Sequence, residues 1–561
     1  MKTTTRFRAR PLAAALIAGL GIGVDAGGAF AATRITVDTT DDAGSNTTCT
    51  LRQAITAMNA GGVTTGSACV ASTVSGVDTI VFDTTAFPPG GTNTITLADA
   101  ANNQLSITDT NLVIDASANG NVTVQRAATA TNAFGIFYAM TPYGSLTIDS
   151  LTIANGKLAA SQPSGAALGA GISSVYTSLT LANSVVTGNS SSTSGYAAGG
   201  GIAVYAGDLT LTGSTVSDNS VAGFSGASGM GGGLFVRQKI ATRTGGNATV
   251  TDSQILGNSA KGNGGGLHVG GSLTMTDSRV SGNTAGAEGG GIKLYGASTV
   301  KRSTISGNTA VSRGGGIVAA GGYYGVPAAL LTLDASTLSG NRVTAASGSR
   351  GGGLFTRVGN LSFINSTIAD NAAAASGYGY GGGIYIKQNT YPITMRQTTI
   401  ASNTAARRGG GLMIMTSGAG TVTFDGTLFA NTAAPPDGGG NIAVTNGSIA
   451  IAGAGNLVFP GAPPPSDVIN AAFVVAPVGG DPRLAPLADN GGPTQTLLPG
   501  AGSAAIDAIP EANGECPLRT DQRGMIRPDP AGAASPTPCD IGAVEAGSIS
   551  DEIFADGFER R

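Results

Sequence analysis

The sequence has no tryptophan, a single histidine (His268), four cysteines and only 11% charged residues. Each shortage closes off a class of protein. The four cysteines contain no C-x-x-C pair and no histidine lies near them, which argues against a zinc site. No motif calls for a metal or a cofactor. Lysine and arginine form no block and the net charge is −3, so there is no electrostatic case for nucleic acid as a partner. Beyond the first thirty residues no apolar run approaches the ~20 residues that span a bilayer, and no transmembrane segment is expected in the mature chain. Glycine is what the chain has in excess: its 90 copies are about twice the usual share of ~7%, which means many tight turns, few long helices and a β-rich chain.

The N-terminus reads as an address. Lys2, Arg6, Arg8 and Arg10 precede the apolar run "PLAAALIAGLGIGV", and "AFAA" at Ala29 to Ala32 offers small residues at positions −3 and −1 of a cut after Ala31. Residues 1–31 are therefore expected to be a secretory signal peptide. They hold four cations and Asp25, so their removal takes the net charge from −3 to −6. The cysteines agree with export. Cys49 and Cys69 lie 20 apart, and Cys516 and Cys539 lie 23 apart, so two local disulfides are the simplest of three pairings.

Between these ends the chain repeats itself. A triple glycine begins at Gly199, Gly231, Gly264, Gly289, Gly314, Gly351, Gly381, Gly409 and Gly438. Ahead of each stands an asparagine: Asn189, Asn219, Asn258, Asn283, Asn308, Asn341, Asn371, Asn403 and Asn431, at intervals of 25 to 39 residues. Copies that swell between fixed points are one supersecondary unit with loop insertions. Within a copy the apolar period is two, so the pieces are strands. Leu267 and Val269, or Ile384 and Ile386, mark a first strand; Leu273 and Met275, or Leu361 and Phe363, mark a second. A third, very short strand contributes one inward residue three before the asparagine: Val186, Val216, Ile255, Val280, Ile305, Leu338, Ile368, Ile400 and Leu428. Three short strands per unit without hairpin signals describe an all-β chain, a right-handed parallel β-helix with three sheets.

Coils stacked at about 4.8 Å place the asparagines above one another, where each amide can donate to and accept from its neighbours while its backbone takes the bend. The nine are expected to form a structural ladder. The glycines supply positive φ and close approach at the next corner; no copy carries the Lys-Ser/Thr ending of a phosphate-binding loop. The alternation of Asn-ended strands with "GGGI" or "GGGL" over residues 180–445 resembles the repeats of polymorphic outer-membrane proteins. Those repeats carry GGA-I/L/V and FxxN motifs on right-handed β-helices; here Gly replaces the Ala, and Ile, Val or Leu mostly replace the Phe.

Both ends carry further resemblances. "CTLRQAITAMNA" from Cys49 is a helix signal, with Thr50 and Gln53 as a capping box and Leu51, Ile55 and Met58 on one face. It would cover the open end of the solenoid, and it is similar to the "CSLREAI" segment of bacterial exported β-helix proteins. "DPRLAPLADNGGPTQTLLPGAGSAAIDA", then "TDQRGMIRP" and "CDIGAVE", resemble the choice-of-anchor Q module, which implies a surface-associated protein. The tail "GSISDEIFADGFERR" shows no hydrophobic span, and the 16 residues after Glu545 are too few for an autotransporter barrel. The expected organisation is signal peptide 1–31, cap and irregular first coils 32–154, repeated coils 155–450, the choice-of-anchor-like module 451–545 and a polar tail 546–561.

For function, catalysis on a β-helix needs clustered carboxylates and a placed base. Asp218 and Asp370 sit one before a ladder asparagine, and Asp252 and Asp277 share another turn phase, a recurrence that turn chemistry produces. His268 lies between two inward residues and is expected to point outward as an ordinary surface histidine. The residue before the triple glycine is Arg313, Arg350, Tyr380 and Arg408 in four successive copies, a column of cations and one aromatic at the coil spacing. Beside it the outward residues of the first strand, Phe235, His268, Lys293, Val318, Phe355, Tyr385 and Met413, make either an exposed contact face or one covered by insertions such as residues 321–329. The expectation is an exported, noncatalytic surface β-helix, adhesin-like, contacting an extracellular or cell-surface glycan or protein. The alternative is a polysaccharide lyase or glycoside hydrolase acting on an acidic polysaccharide.

Overall fold

The computed structural model describes residues 31–547, apart from 63–66, 160–165, 193–195, 224–228, 239–245, 322–329, 358–359, 375–376, 388–391, 416–419, 432–437, 461–467, 510–515 and 528–537. The signal-peptide residues 1–30, most of the polar tail, and the insertion at 322–329 lie outside the described residues. What is described is a parallel β-helix. The coil from Gly289 shows the unit: sheet I at Ile292–Leu294, sheet II at Ser298–Lys301, sheet III at Thr304–Ser306 and sheet IV at Thr309–Ala310. Stacked coil on coil these give sheets of 13, 16, 13 and 9 strands among the described residues. Apart from an antiparallel strand at the N-terminal edge, successive strands pair in parallel. The three expected strands are thus joined by a fourth, a two- or three-residue piece just after each asparagine from Asn189 to Asn403.

The register keeps like residues in columns. Leu267, Ile292, Ile317, Leu354, Ile384, Leu412 and Ile442 are aligned neighbours in sheet I, all fully buried in one continuous core. In sheet III the inward column runs Val186, Val216, Ile255, Val280, Ile305, Leu338, Ile368, Ile400 and then Phe429, not Leu428. The last turn is one residue shorter: Ile400 precedes its ladder asparagine by three positions, Phe429 by two. Leu428 consequently faces outward.

From Asn189 to Asn403 each asparagine Nδ2 donates to the Oδ1 of the ladder residue in the next coil at 2.9–3.0 Å. The backbone N–H of the same residue donates to that same oxygen at 2.8–3.0 Å. From Asn189 on, Nδ2 also donates to the carbonyl of the inward residue one coil back, such as Ile153 O for Asn189 and Val280 O for Asn308. The row continues past Asn431 to Asn441 and ends on the Phe459 carbonyl. The bend itself belongs to the preceding residue rather than to the asparagine: Asp218, Gly282, Gly307 and Asp370 have φ of 56°, 68°, 63° and 57°. Turned there, the chain points the amide into the interior. In the Gly289 coil the triple glycine serves three ends. Gly289 has φ +69°, a Cβ on Gly290 would fall within 2.5 Å of the Thr309 carbonyl carbon, and one on Gly291 would press on Asn308 and on the Gly316 carbonyl.

The N-terminal end of the solenoid is covered by a helix. The helix Leu51–Asn59 (α1) has both capping-box bonds, Gln53 N–H to Thr50 Oγ1 and Thr50 N–H to Gln53 Oε1, and buries Leu51, Ala54, Ile55, Ala57 and Met58 in the main core. The Cys49–Cys69 disulfide and the Arg52–Asp42 ion pair at 2.8 Å fix it. Toward the C-terminus, Val478 still pairs with Leu457, after which the chain turns back along the outward face of sheet III. Leu497, Ala505 and Ile541 pack there on Ala369, Ala401, Leu428 and Leu457. Gln522 ties this segment down: its Nε2 donates to Thr337 Oγ1 and Thr494 Oγ1 at 2.8 Å, and its Oε1 accepts from Thr367 Oγ1 at 2.6 Å. Inside it Arg527 and Glu545 form a buried ion pair at 2.7 Å, and burial pushes Glu545 up to about 7. Cys516 and Cys539 are bonded to each other.

Asn308→Ala would strip the acceptor from two Asn283 donors and the donor from Val280 O and Asn341 Oδ1, all in dry interior. The expected loss is at least about 1–3 kcal/mol, read by calorimetry as a lower Tm. An unchanged transition would show that the amide row adds nothing to stability.

Candidate functional site

The outward side of sheet I is where structure and sequence part. Phe235, Val318, Phe355, Tyr385 and Met413 are at most 2% exposed, and His268 and Lys293 are 6% and 7% exposed. Of the two readings of this face, exposed or covered, the structure has the covered one: a buried second layer. It is covered by the chain just ahead of the triple glycines from Gly199 to Gly409, which runs outside sheet I as a further set of parallel pairings. Ala198 pairs with Met230, Met230 with Asn263, Glu288 with Arg313, Arg313 with Arg350, Arg350 with Tyr380 and Tyr380 with Arg408. The positive φ of the first glycine folds this outer ladder back over the sheet. The predicted column Arg313, Arg350, Tyr380 and Arg408 is thus brought together in consecutive coils, and all four side chains are half-buried.

Beneath and beside that ladder the rings stack. Phe355 and Tyr385 are parallel within 16° at 5.5 Å, and Phe235 and His268 are stacked at 5.3 Å. Guanidinium groups lie on these rings: Arg313 and Arg357 over Phe355 at 5.4 and 5.8 Å, and Arg350 over Tyr385 at 5.7 Å. Stacking holds a guanidinium flat and leaves its edge N–H groups as a fork for carboxylate oxygens. Arg407 adds a hydrogen bond to the Tyr380 hydroxyl at 3.1 Å. On the outer ladder and the outward positions of sheet I, Glu288 is the one carboxylate among the described residues. It bonds Lys293 at 2.9 Å and Arg313, with Arg357 at 3.6 Å. Burial works against its ionisation, but Lys293 and Arg313 outweigh that and hold its carboxyl below the usual range. Lys293 is pulled down by burial against the pull of Glu288.

The remaining candidates have structural surroundings. Asp218, Asp252, Asp277 and Asp370 all sit at positive φ in turns, and Asp277 is paired with Arg302. A second polar row escaped the sequence reading. The backbone N–H of Ser184, Ser214, Ser253, Ser278, Ser303 and Ser336 donates to the next coil's serine Oγ, the last to Ser366, at 3.0–3.3 Å. Its signal was a serine five residues before each of these ladder asparagines.

No family model matches the chain, and no curated protein matches it. Among solved structures, the crystal structure of the periplasmic alginate epimerase AlgG is similar over 71% of this chain and 84% of that one, at 9% identity and a TM-score of 0.33. At that TM-score the likeness supports neither a shared activity nor a shared site.

His268 yields a pH test. Burial first, then Lys293 and Arg237, push it from its ordinary 6.5 down to about 3. The unfolded chain takes up the proton first, so this group's effect is nil above about 6.5 and lowers stability progressively as pH falls toward 3. His268→Phe, which keeps a ring against Phe235, is expected to flatten that part of the stability profile, measured by denaturant midpoints. Superimposable profiles would contradict it.

Proposed function

We propose that the protein is an exported, noncatalytic surface β-helix whose outer ladder contacts an acidic glycan. The observation that carries the reading is the row of guanidinium groups laid over stacked aromatic rings, in a chain whose net charge is −3. A linear array at the coil spacing of about 4.8 Å suits an extended polymer better than a compact substrate, and both disulfides suit an oxidising compartment. The resemblance of the segment from Asp481 to Glu545 to the choice-of-anchor Q module supports surface association.

The alternative, a lyase or hydrolase for an acidic polysaccharide, needs a group poised to exchange protons near neutral pH. On this face His268 is buried and held neutral and Glu288 is held ionised, which leaves Lys293, lowered by burial and 5.8 Å from the Tyr295 ring; Glu545, pushed up to about 7, is buried against Arg527 on the far side of the coil. Changing Arg313, Arg350 and Arg408 together to Ala should abolish retention on immobilised acidic glycans and leave the circular dichroism unchanged. Each exposed ion contact is worth about 1 kcal/mol or less, so parent retention should rest on several coils and weaken as salt rises above about 0.15 M. A parent that is not retained, or a triple variant retained equally, would overturn the reading. Shortening of the glycan would favour the alternative.

A further inference from the structure

Among the described residues the one carboxylate of this face stands at the end of the guanidinium row. Glu288 is paired on the outer ladder with Arg313, which is paired in turn with Arg350, so its carboxylate occupies the row's own register. Three cations converge on it. Lys293 Nζ bonds Oε2 at 2.9 Å, Arg313 bonds Oε1, and Arg357 Nη2 lies 3.6 Å from Oε1. One negative charge against three positive leaves the cluster with excess positive charge, and the two arginines are held over Phe355 rather than on a second acid. The cluster is open on one side: the Arg357 and Arg313 side chains are 46% and 28% exposed, Glu288 14% and Lys293 8%.

We infer that Lys293, Arg313 and Arg357 form a carboxylate-binding subsite for an acidic sugar residue, and that Glu288 is a built-in occupant competing with the ligand's carboxylate for it. The inference rests on the acidic-glycan reading and adds the group recognised and the residue that limits affinity. Geometry supplies the logic: cations preorganised around one carboxylate have the fork spacing and charge to take another, and the resident acid repels the incoming one at close range. Glu288 would also weaken binding of neutral sugars little, since those make no use of the excess charge.

The test uses the full mature protein with three probes in calorimetric titration: an oligogalacturonate, its methyl ester, and dextran sulfate. Glu288→Gln keeps the shape and an oxygen for Arg313 and removes the charge. It should bind oligogalacturonate roughly fivefold tighter with methyl-ester binding unchanged, and Arg357→Met should bind the acid more weakly. If Glu288→Gln binds the acid no better than the parent at an unchanged Tm, or if the methyl ester binds as tightly as the acid, the subsite is overturned while the broader glycan reading stands. If the parent binds none of the anionic probes, the acidic-glycan reading fails and this inference with it. Should Glu288→Gln lower the Tm, Arg357→Met decides: weaker binding of the acid alone supports the subsite, and unchanged binding refutes it.

Discussion

Everything in this fold depends on one buried amide meeting the next. A parallel coil stack has backbone hydrogen bonds along its sheets but must also turn corners inside a dry core, and at a corner the backbone groups lack sheet partners. The asparagine row meets that need: each side-chain oxygen takes two donors from the coil before it, and each side-chain nitrogen serves the coil after it and a carbonyl behind it. An amide supplies donor and acceptor together, so a hydroxyl or a carboxylate would leave part of the corner unsatisfied. The row also sets register. A coil displaced by one residue would send its inward column to the solvent side and would pull its amide out of line at the same time.

The inward face was legible because its signals are one-dimensional. Period two gives the strands, recurring Asn and Gly give the corners, and the capping box of α1 is local in sequence. What escaped depends on layers beyond the coil. Phe355 and Tyr385 alternate outward as the pattern requires, yet are buried under the outer ladder, whose Arg313 lies over Phe355 and Arg350 over Tyr385. Outward in a strand means exposed only when nothing packs on that face. Leu428 was misread for a smaller reason, a turn one residue shorter than its predecessors, and the fourth sheet because two or three residues carry no period.

The second layer changes what the arginine column is. On an open sheet Arg313 and Arg350 would sample many rotamers, and ordering them on a ligand would cost side-chain entropy. Over Phe355 and Tyr385 they are held beforehand, so much of that cost is met in folding. The same layer explains His268. Set between Phe235 and Lys293 with Arg237 near, it cannot keep a proton, and its ring serves the stack.

The N-terminal end solves a problem that repetition creates. A solenoid of identical coils would present unpaired strand edges and an apolar mouth at each end, inviting further copies to add on. At the N-terminus α1 closes the mouth, and the strand Ala71–Ser75 pairs antiparallel on Ala31–Val37 and breaks the parallel template. At the other end the chain leaves the stack and lies along sheet III, where Gln522 reaches Thr337 and Thr367 in two different coils. Because those threonines belong to repeats more than 150 residues earlier, the segment fastens neighbouring coils to one another as well as to itself. Sheet I and its outer ladder lie clear of the returning chain among the described residues, and this is the side on which the cations are gathered.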